Sequence, residues 1–255
     1  MTARTAAAII SVGLLAGTIG CLDFYEVPIQ VPIQSKMDVS MFKRVLVAGF
    51  LAGGSKAIDP NTETARLLRS QLRSKSDMKV VDADVLSLVD EVGRRKSGDA
   101  AAAPANPNAE PEIKTAKDLE AYESIFADKD YWKKLGDEYQ NPLIVTGSVL
   151  FTEVSKNGMV STPQKTTGPD GVETYKEVQT YREQKGFALD EKFVFIDGRT
   201  GEQLHTETVH SDTYWDAGQN TPALSAYFEL MDKVVPTFLT TLNTQKINTT
   251  RILIK

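Results

Sequence analysis

The side chains able to do chemistry are few and scattered. The chain holds two histidines, His205 and His210, and one cysteine, Cys21. The histidines are five residues apart in a stretch that reads as a strand. They therefore point to opposite faces and cannot share one metal ion. Solvent-facing or hydrogen-bonded histidines on an edge strand are the plain reading. Asp82 and Asp84 have the spacing of a paired carboxylate site, but they precede a helical pattern. There, carboxylates serve as caps and complement the helix dipole. Gly49, Gly53 and Gly54 do not make a dinucleotide fingerprint, and the chain has no P-loop and no Gly-x-Ser-x-Gly elbow. No catalytic residue, metal or cofactor is expected. Two groups suit contact instead. Arg66, Arg69 and Arg73 recur along one helix, where they either form a solvated face or meet an acidic or phosphate-bearing surface. Tyr214 and Trp215 form an aromatic pair after a polar strand, suited to core packing or to an exposed contact.

Composition narrows the class. Of 255 residues, 29 are Lys or Arg and 34 are Asp or Glu, a formal charge of −5, and 41% are hydrophobic. This is too apolar for a wholly disordered chain and too mixed for a polytopic membrane protein. The acidic balance argues against nucleic acid as a partner. A single Cys excludes a disulfide within the chain.

Residues 1–20 carry one charge, Arg4, and then an apolar and small-residue run from Ala6 to Gly20. The run is short for a membrane span and reads as a secretory signal. It closes on Thr18-Ile19-Gly20-Cys21, which resembles a bacterial lipobox, although Thr18 stands where Leu is usual. The resemblance implies cleavage before Cys21 and diacylation of its thiol, a stable attachment to a lipid bilayer. Loss of Arg4 would move the charge from −5 to −6. Leu22 comes after the Cys in place of the Asp that typically retains such proteins in the inner membrane. By that resemblance the anchor sits in the outer membrane, with the domain in the periplasm.

The remaining pattern sets out the elements that must position any site. Residues 21–40, beginning at the lipidated Cys, read as an extended tether. Within it Val27-Pro28-Ile29-Gln30 repeats as Val31-Pro32-Ile33-Gln34, each Pro disfavouring helix; an edge strand laid on the domain is the alternative. Residues 41–255 read as a single α/β domain with a mixed sheet of about five to six strands flanked by helices. Phe42–Phe50 is a strand buried on both faces. Asp59-Pro60 caps a helix, 78–81 is a short strand, and Asp82–Asp84 would cap a helix from Val85 to about Arg95. The Ala- and Pro-rich residues 97–112 read as a disordered surface loop. Thr115 to Asp118 resembles a capping box before a helix reaching about Phe126, and another helix spans 130–139. Strands are expected at 143–154, 172–184 and 189–196, with Ser155–Gly171 as a loop. Asp197–Gly201 is a tight turn into a polar strand from 202 to 214. Leu224, Phe228, Met231, Val235, Phe238 and Leu242 stripe the longest helix, which Pro236 should kink near Asp232. Residues 247–255 form a last strand.

Several strings carry a family resemblance. Val45-Leu46-Val47-Ala48-Gly49-Phe50, the helix ending Leu67-Leu68-Arg69-Ser70-Gln71-Leu72, and Met78-Lys79-Val80-Val81-Asp82 resemble the opening of the CsgG, LpoB and TolB N-terminal superfamily. Asn141 to Val149 and Phe193 to Glu202 resemble its central strand and hairpin. The resemblance spans about residues 42–254. It implies a periplasmic lipoprotein domain with one of three roles: an LpoB-like activator of a penicillin-binding-type synthase, a CsgG-like homo-oligomeric secretion pore, or a Tol-type docking domain. The one stretch long enough for a membrane hairpin, about 150–190, carries Lys156, Asp170, Glu173, Lys176, Glu177, Arg182 and Glu183, with no clean apolar face. The expected function is therefore a non-catalytic module that binds another envelope protein, with the oligomeric secretion component as the alternative. An enzyme would instead require an acid buried in a pocket with a raised pKa.

Overall fold

The structure, a computed structural model, describes residues 24–96, 113–243 and 245–254. The leader, Cys21 and the 97–112 segment lie outside these. The chain divides into two compact units, one spanning residues 35–243 and one that pairs the two ends.

The larger unit has three layers. Its sheet contains β2 (Arg44–Gly54), β3 (Lys79–Val80), β4 (Leu143–Thr167), β5 (Glu173–Asp197) and β6 (Gln203–Asp216) in the order β3-β2-β4-β5-β6. β2 runs parallel to β3 and β4, and the remaining pairs are antiparallel. This is the mixed α/β fold expected. Helices α1 (Pro60–Lys75) and α5 (Ala223–Leu242) cover one face, and α2 (Leu88–Lys96), α3 (Ala116–Glu120), a 3-10 turn (Glu123–Ala127) and α4 (Lys129–Glu138) cover the other.

Alternation in the strands assigns each side chain to a face. Val45, Val47, Leu143, Val145, Phe193 and Phe195 pack beneath α1 and α5. Leu46, Ala48, Ile144, Val194 and Ile196 pack beneath α2–α4 around Trp132. A strand buried on both sides must be apolar throughout, which is why these segments read as unbroken hydrophobic runs. Trp132 adds a polar tie, its Nε1–H donating to the Ile125 carbonyl at 2.8 Å.

Local chemistry sets the ends. The Asp59 carboxylate accepts from the Asn61 and Thr62 amides, with Pro60 in the first turn. Thr115 and Asp118 form the reciprocal capping box. The Asp197 carboxylate accepts from the Arg199 amide and side chain, and Gly201 closes the turn at φ 73°. Hydrogen bonds from Arg199 hold the Asp197 carboxyl below the usual range.

Three expectations change. Asp82 and Asp84 do not cap a helix: α2 starts only at Leu88, and Asp82 pairs with Arg73. The stripe on α5 is wider than expected: Met231, Val235, Phe238 and Leu242 are buried as expected, Tyr227, Leu230 and Val234 join them, and Leu224 is exposed. Pro236, the residue expected to kink it, lies inside this helix. The loop expected at 155–171 is mostly strand, and 172–184 and 189–196 are one continuous strand.

The smaller unit differs from the tether expected at 21–40. β1 (Phe24–Ile33) pairs antiparallel with β7 (Gln245–Ile254) over its whole length, as a two-stranded sheet of its own. Residues 245–254 thus leave the single domain expected over 41–255. Pro28 and Pro32 are four apart and occupy the same phase of the ladder, two positions with no amide donor.

Candidate functional site

The sheet extends an arm because its flanking strands stop early. β2 ends at Gly54 (φ 98°), whose amide donates to the Ile113 carbonyl at 2.8 Å, and the Ser55 amide then donates to the Phe151 carbonyl at 2.6 Å. The chain turns away there, leaving β4 without an outer neighbour beyond Phe151 among the described residues. On the other side β6 ends at Asp216, and the Ala217 amide donates to the Glu183 carbonyl at 3.0 Å. β4 and β5 continue alone to a turn at 168–172, where Gly171 has φ 76°. The ladder from Ser155–Lys185 to Thr167–Glu173 runs roughly 40 Å at about 3.4 Å per residue.

Over 155–167 on β4 and 173–182 on β5, the outer edges of this arm have no strand neighbour among the described residues. One face carries Met159 opposite Tyr181, Pro163 opposite Glu177, and Lys165 opposite Tyr175. Met159, Tyr175 and Tyr181 are 61%, 71% and 63% exposed. The other face carries Val160 opposite Thr180 and Thr162 opposite Val178. Charges interrupt both faces, with Glu183 and Glu177 on the first and Lys156, Arg182 and Lys176 on the second. Cross-strand polar ties, including Lys165 to Glu173 at 2.7 Å and Ser161 to Glu177 at 3.2 Å, hold the ladder without a core.

Tyr214 and Trp215 stand at the root of the arm, where β6 ends. Tyr214 lies opposite Gly186 and Trp215 opposite Lys185. Trp215 packs edge-on against Phe187 at 6.2 Å, joining the core beneath α1 and α5. Tyr214 turns to the other face, with the Lys156 ammonium 5.8 Å from its ring centre. A side chain at Gly186 would drive its Cβ into the Thr213 carbonyl oxygen, so only glycine fits this root.

The three arginines do not form one patch. Arg66 is exposed and pairs with Glu63 at 3.6 Å, while Arg73 pairs with Asp82. Arg69 turns inward, and its Nη2 donates to the Val47 carbonyl at 2.7 Å. Burial lowers the Arg69 pKa. The histidines lie on opposite faces as expected. His205 sits 3.3 Å from Glu207 and against the Phe195 ring, and His210 sits 2.6 Å from Asp190 across the ladder.

Glu191 escaped the sequence reading. It lies between Val149 and Val209 on the face beneath α1 and α5, is 1% exposed, and neither carboxyl oxygen has a hydrogen-bond partner among the described residues. Burial pushes its pKa well above the ordinary glutamate value of 4.5. The only sequence signal was its parity, which places an acid among apolar positions.

No family model and no curated protein matches the chain. Among solved structures, the chain is similar to a PelC dodecamer subunit from Paraburkholderia phytofirmans, at 12% identity and TM-score 0.35, covering 87% of this chain and 99% of that one. It is similar to lipoprotein GNA1162 from Neisseria meningitidis at 14% identity and TM-score 0.28, covering 76% and 96%. It is also similar to the LpoB C-terminal domain from Salmonella enterica at 9% identity and TM-score 0.27, covering 80% and 93%. No family is assigned on these likenesses.

Proposed function

We propose that this chain is a cell-envelope lipoprotein, anchored through Cys21, that works without catalysis by binding another envelope protein. The arm of β4 and β5 is the observation that carries the binding reading. A two-stranded ribbon with no core is marginal by itself, and its open edges are templates for another strand. Exposed Tyr175 and Tyr181 supply large contact area at low entropic cost. The periplasmic face of the outer membrane, and a penicillin-binding-type synthase or a secretion or Tol-type component as partner, belong to the same proposal. Replacing 155–185 by a two-residue Asn-Gly turn tests the arm. The rest of the domain should keep its fold while specific partner capture is lost; unchanged capture of the same partner would contradict the assignment.

A second reading, a ring-forming secretion component, is favoured by the same open edges, through which copies could join arm to arm. Light scattering on the detergent-solubilised full chain separates the two. A defined large oligomer that vanishes with the arm supports the ring, and a monomer supports the binding module.

A further inference from the structure

The register of the terminal ribbon puts a cluster of apolar residue types at one end. Phe24 pairs with Ile254, Tyr25 with Leu253, Glu26 with Ile252 and Val27 with Arg251. The first two pairs are apolar on both strands; beyond them every pair except Val31 with Ile247 is polar on one or both strands, including Pro28 with Thr250, Ile29 with Thr249 and Gln30 with Asn248. The apolar end is also the end next to Cys21. Three peptide units join Cys21 to Phe24, a reach of at most about 11 Å. A headgroup layer is roughly 5–7 Å deep on each side of the hydrocarbon. A thiol whose acyl chains enter the bilayer therefore holds the Phe24–Ile254 pair within or just above that layer.

We infer that the Cys21-proximal end of the β1–β7 ribbon is a second, non-covalent contact with a phospholipid bilayer. This rests on acylation of Cys21. Residues 252–254 lie far from the leader in sequence, but the ladder returns them to the anchor, with cross-strand partners about 5 Å apart. The residue types suit the interface. Phe24 and Tyr25 are aromatic, Ile252, Leu253 and Ile254 are aliphatic, and exposed Arg251 stands at the depth where a long cationic chain reaches phosphate. Glu26 and Arg251 balance in charge, so the contact does not depend on anionic lipid.

The chain offers its own probe site, because Cys21 is its only cysteine and acylation blocks that thiol. Single variants Leu253→Cys and Thr249→Cys of the acylated full chain, nitroxide-labelled in phosphatidylcholine vesicles, report depth by electron paramagnetic resonance. The label at 253 should collide more with lipid-soluble oxygen and less with a water-soluble nickel chelate than the label at 249, roughly 14 Å further along the strand. In an unacylated Cys21→Ser background, label 253 should be accessible to the chelate. Equal aqueous exposure at both positions on acylated protein overturns the inference while leaving the anchor intact. Protection of 253 without vesicles also overturns it, since protein would then cover the site. Mass spectrometry of the N-terminal peptide tests the anchor separately. A free Cys21 thiol overturns the anchor and removes the reason for placing the ribbon end in lipid.

Discussion

The same two strands behave as two materials. Between Leu143 and Phe151, and again between Glu191 and Asp197, β4 and β5 are buried almost throughout; from Ser155 and from Gln184 outward they are almost entirely exposed. The ladder is continuous across the boundary. What changes is the company: two helical layers and two flanking strands at the base, and none of these along the arm. The base is therefore held by burial on both faces. The arm is held by backbone pairing and cross-strand polar ties alone.

The largest test of this contrast is a cavity. Phe193 is fully buried, with its ring 4.9 Å from Phe238 and 6.4 Å from Phe50. Phe193→Ala should lose about 3–5 kcal/mol of stability by denaturant unfolding, whereas Tyr181→Ala on the arm should change it by under about 0.5 kcal/mol. Comparable losses would dissolve the distinction.

Glu191 sharpens it next, as a carboxyl sealed into the base beneath α1 and α5. Its folded-state pKa is raised, so below about 4.5 folded and unfolded chains are both protonated and stability is fully present. As pH rises above that value the unfolded chain releases a proton that the folded chain keeps. Stability is then lost until the raised folded-state pKa is passed. Glu191→Gln should flatten that decline in unfolding midpoint against pH, and Glu191→Leu should stabilise the neutral-pH protein by about 1–3 kcal/mol. An unchanged pH profile would show the carboxyl is solvated.

At the boundary, Gly186→Ala should cost about 1–2 kcal/mol by forcing the Thr213 carbonyl away. The effect should appear as faster hydrogen exchange where β6 meets β5. The smallest effect belongs to the arm itself. Its amides should exchange in a local opening far cheaper than global unfolding, and partner binding should slow them.

How much of this was readable divides along the same boundary. The core elements were legible because burial imposes period and caps impose residue type: the Val45–Ala48 run, Asp59-Pro60, Thr115 with Asp118, and the Asp197–Gly201 turn all stand where expected. The arm was legible on its β5 side, where a strand was expected at 172–184, but not on its β4 side beyond Val154. With no core to face, Lys156, Gly158, Pro163 and Gln164 need not alternate with apolar residues, so the signal for a strand is missing while the ladder remains. Pairing of β1 with β7 was equally hidden, because register between distant segments leaves no local pattern. Asp82 and Asp84 misled because a carboxylate before an apolar period reads as a cap, when Asp82 instead serves Arg73. Of the contact candidates, Tyr214 and Trp215 lie at the arm's root, and the arginine row is dispersed by folding into three separate roles.

The central claim is that the arm is the contact element of an anchored envelope protein. Site-specific photocrosslinking in intact cells tests it most directly, with the reactive residue at Tyr175 or Tyr181 and a control at exposed Lys117 on α3. Discrete adducts at both arm positions, absent at Lys117, are the expected result. Adducts at Lys117 with none along the arm would contradict the claim.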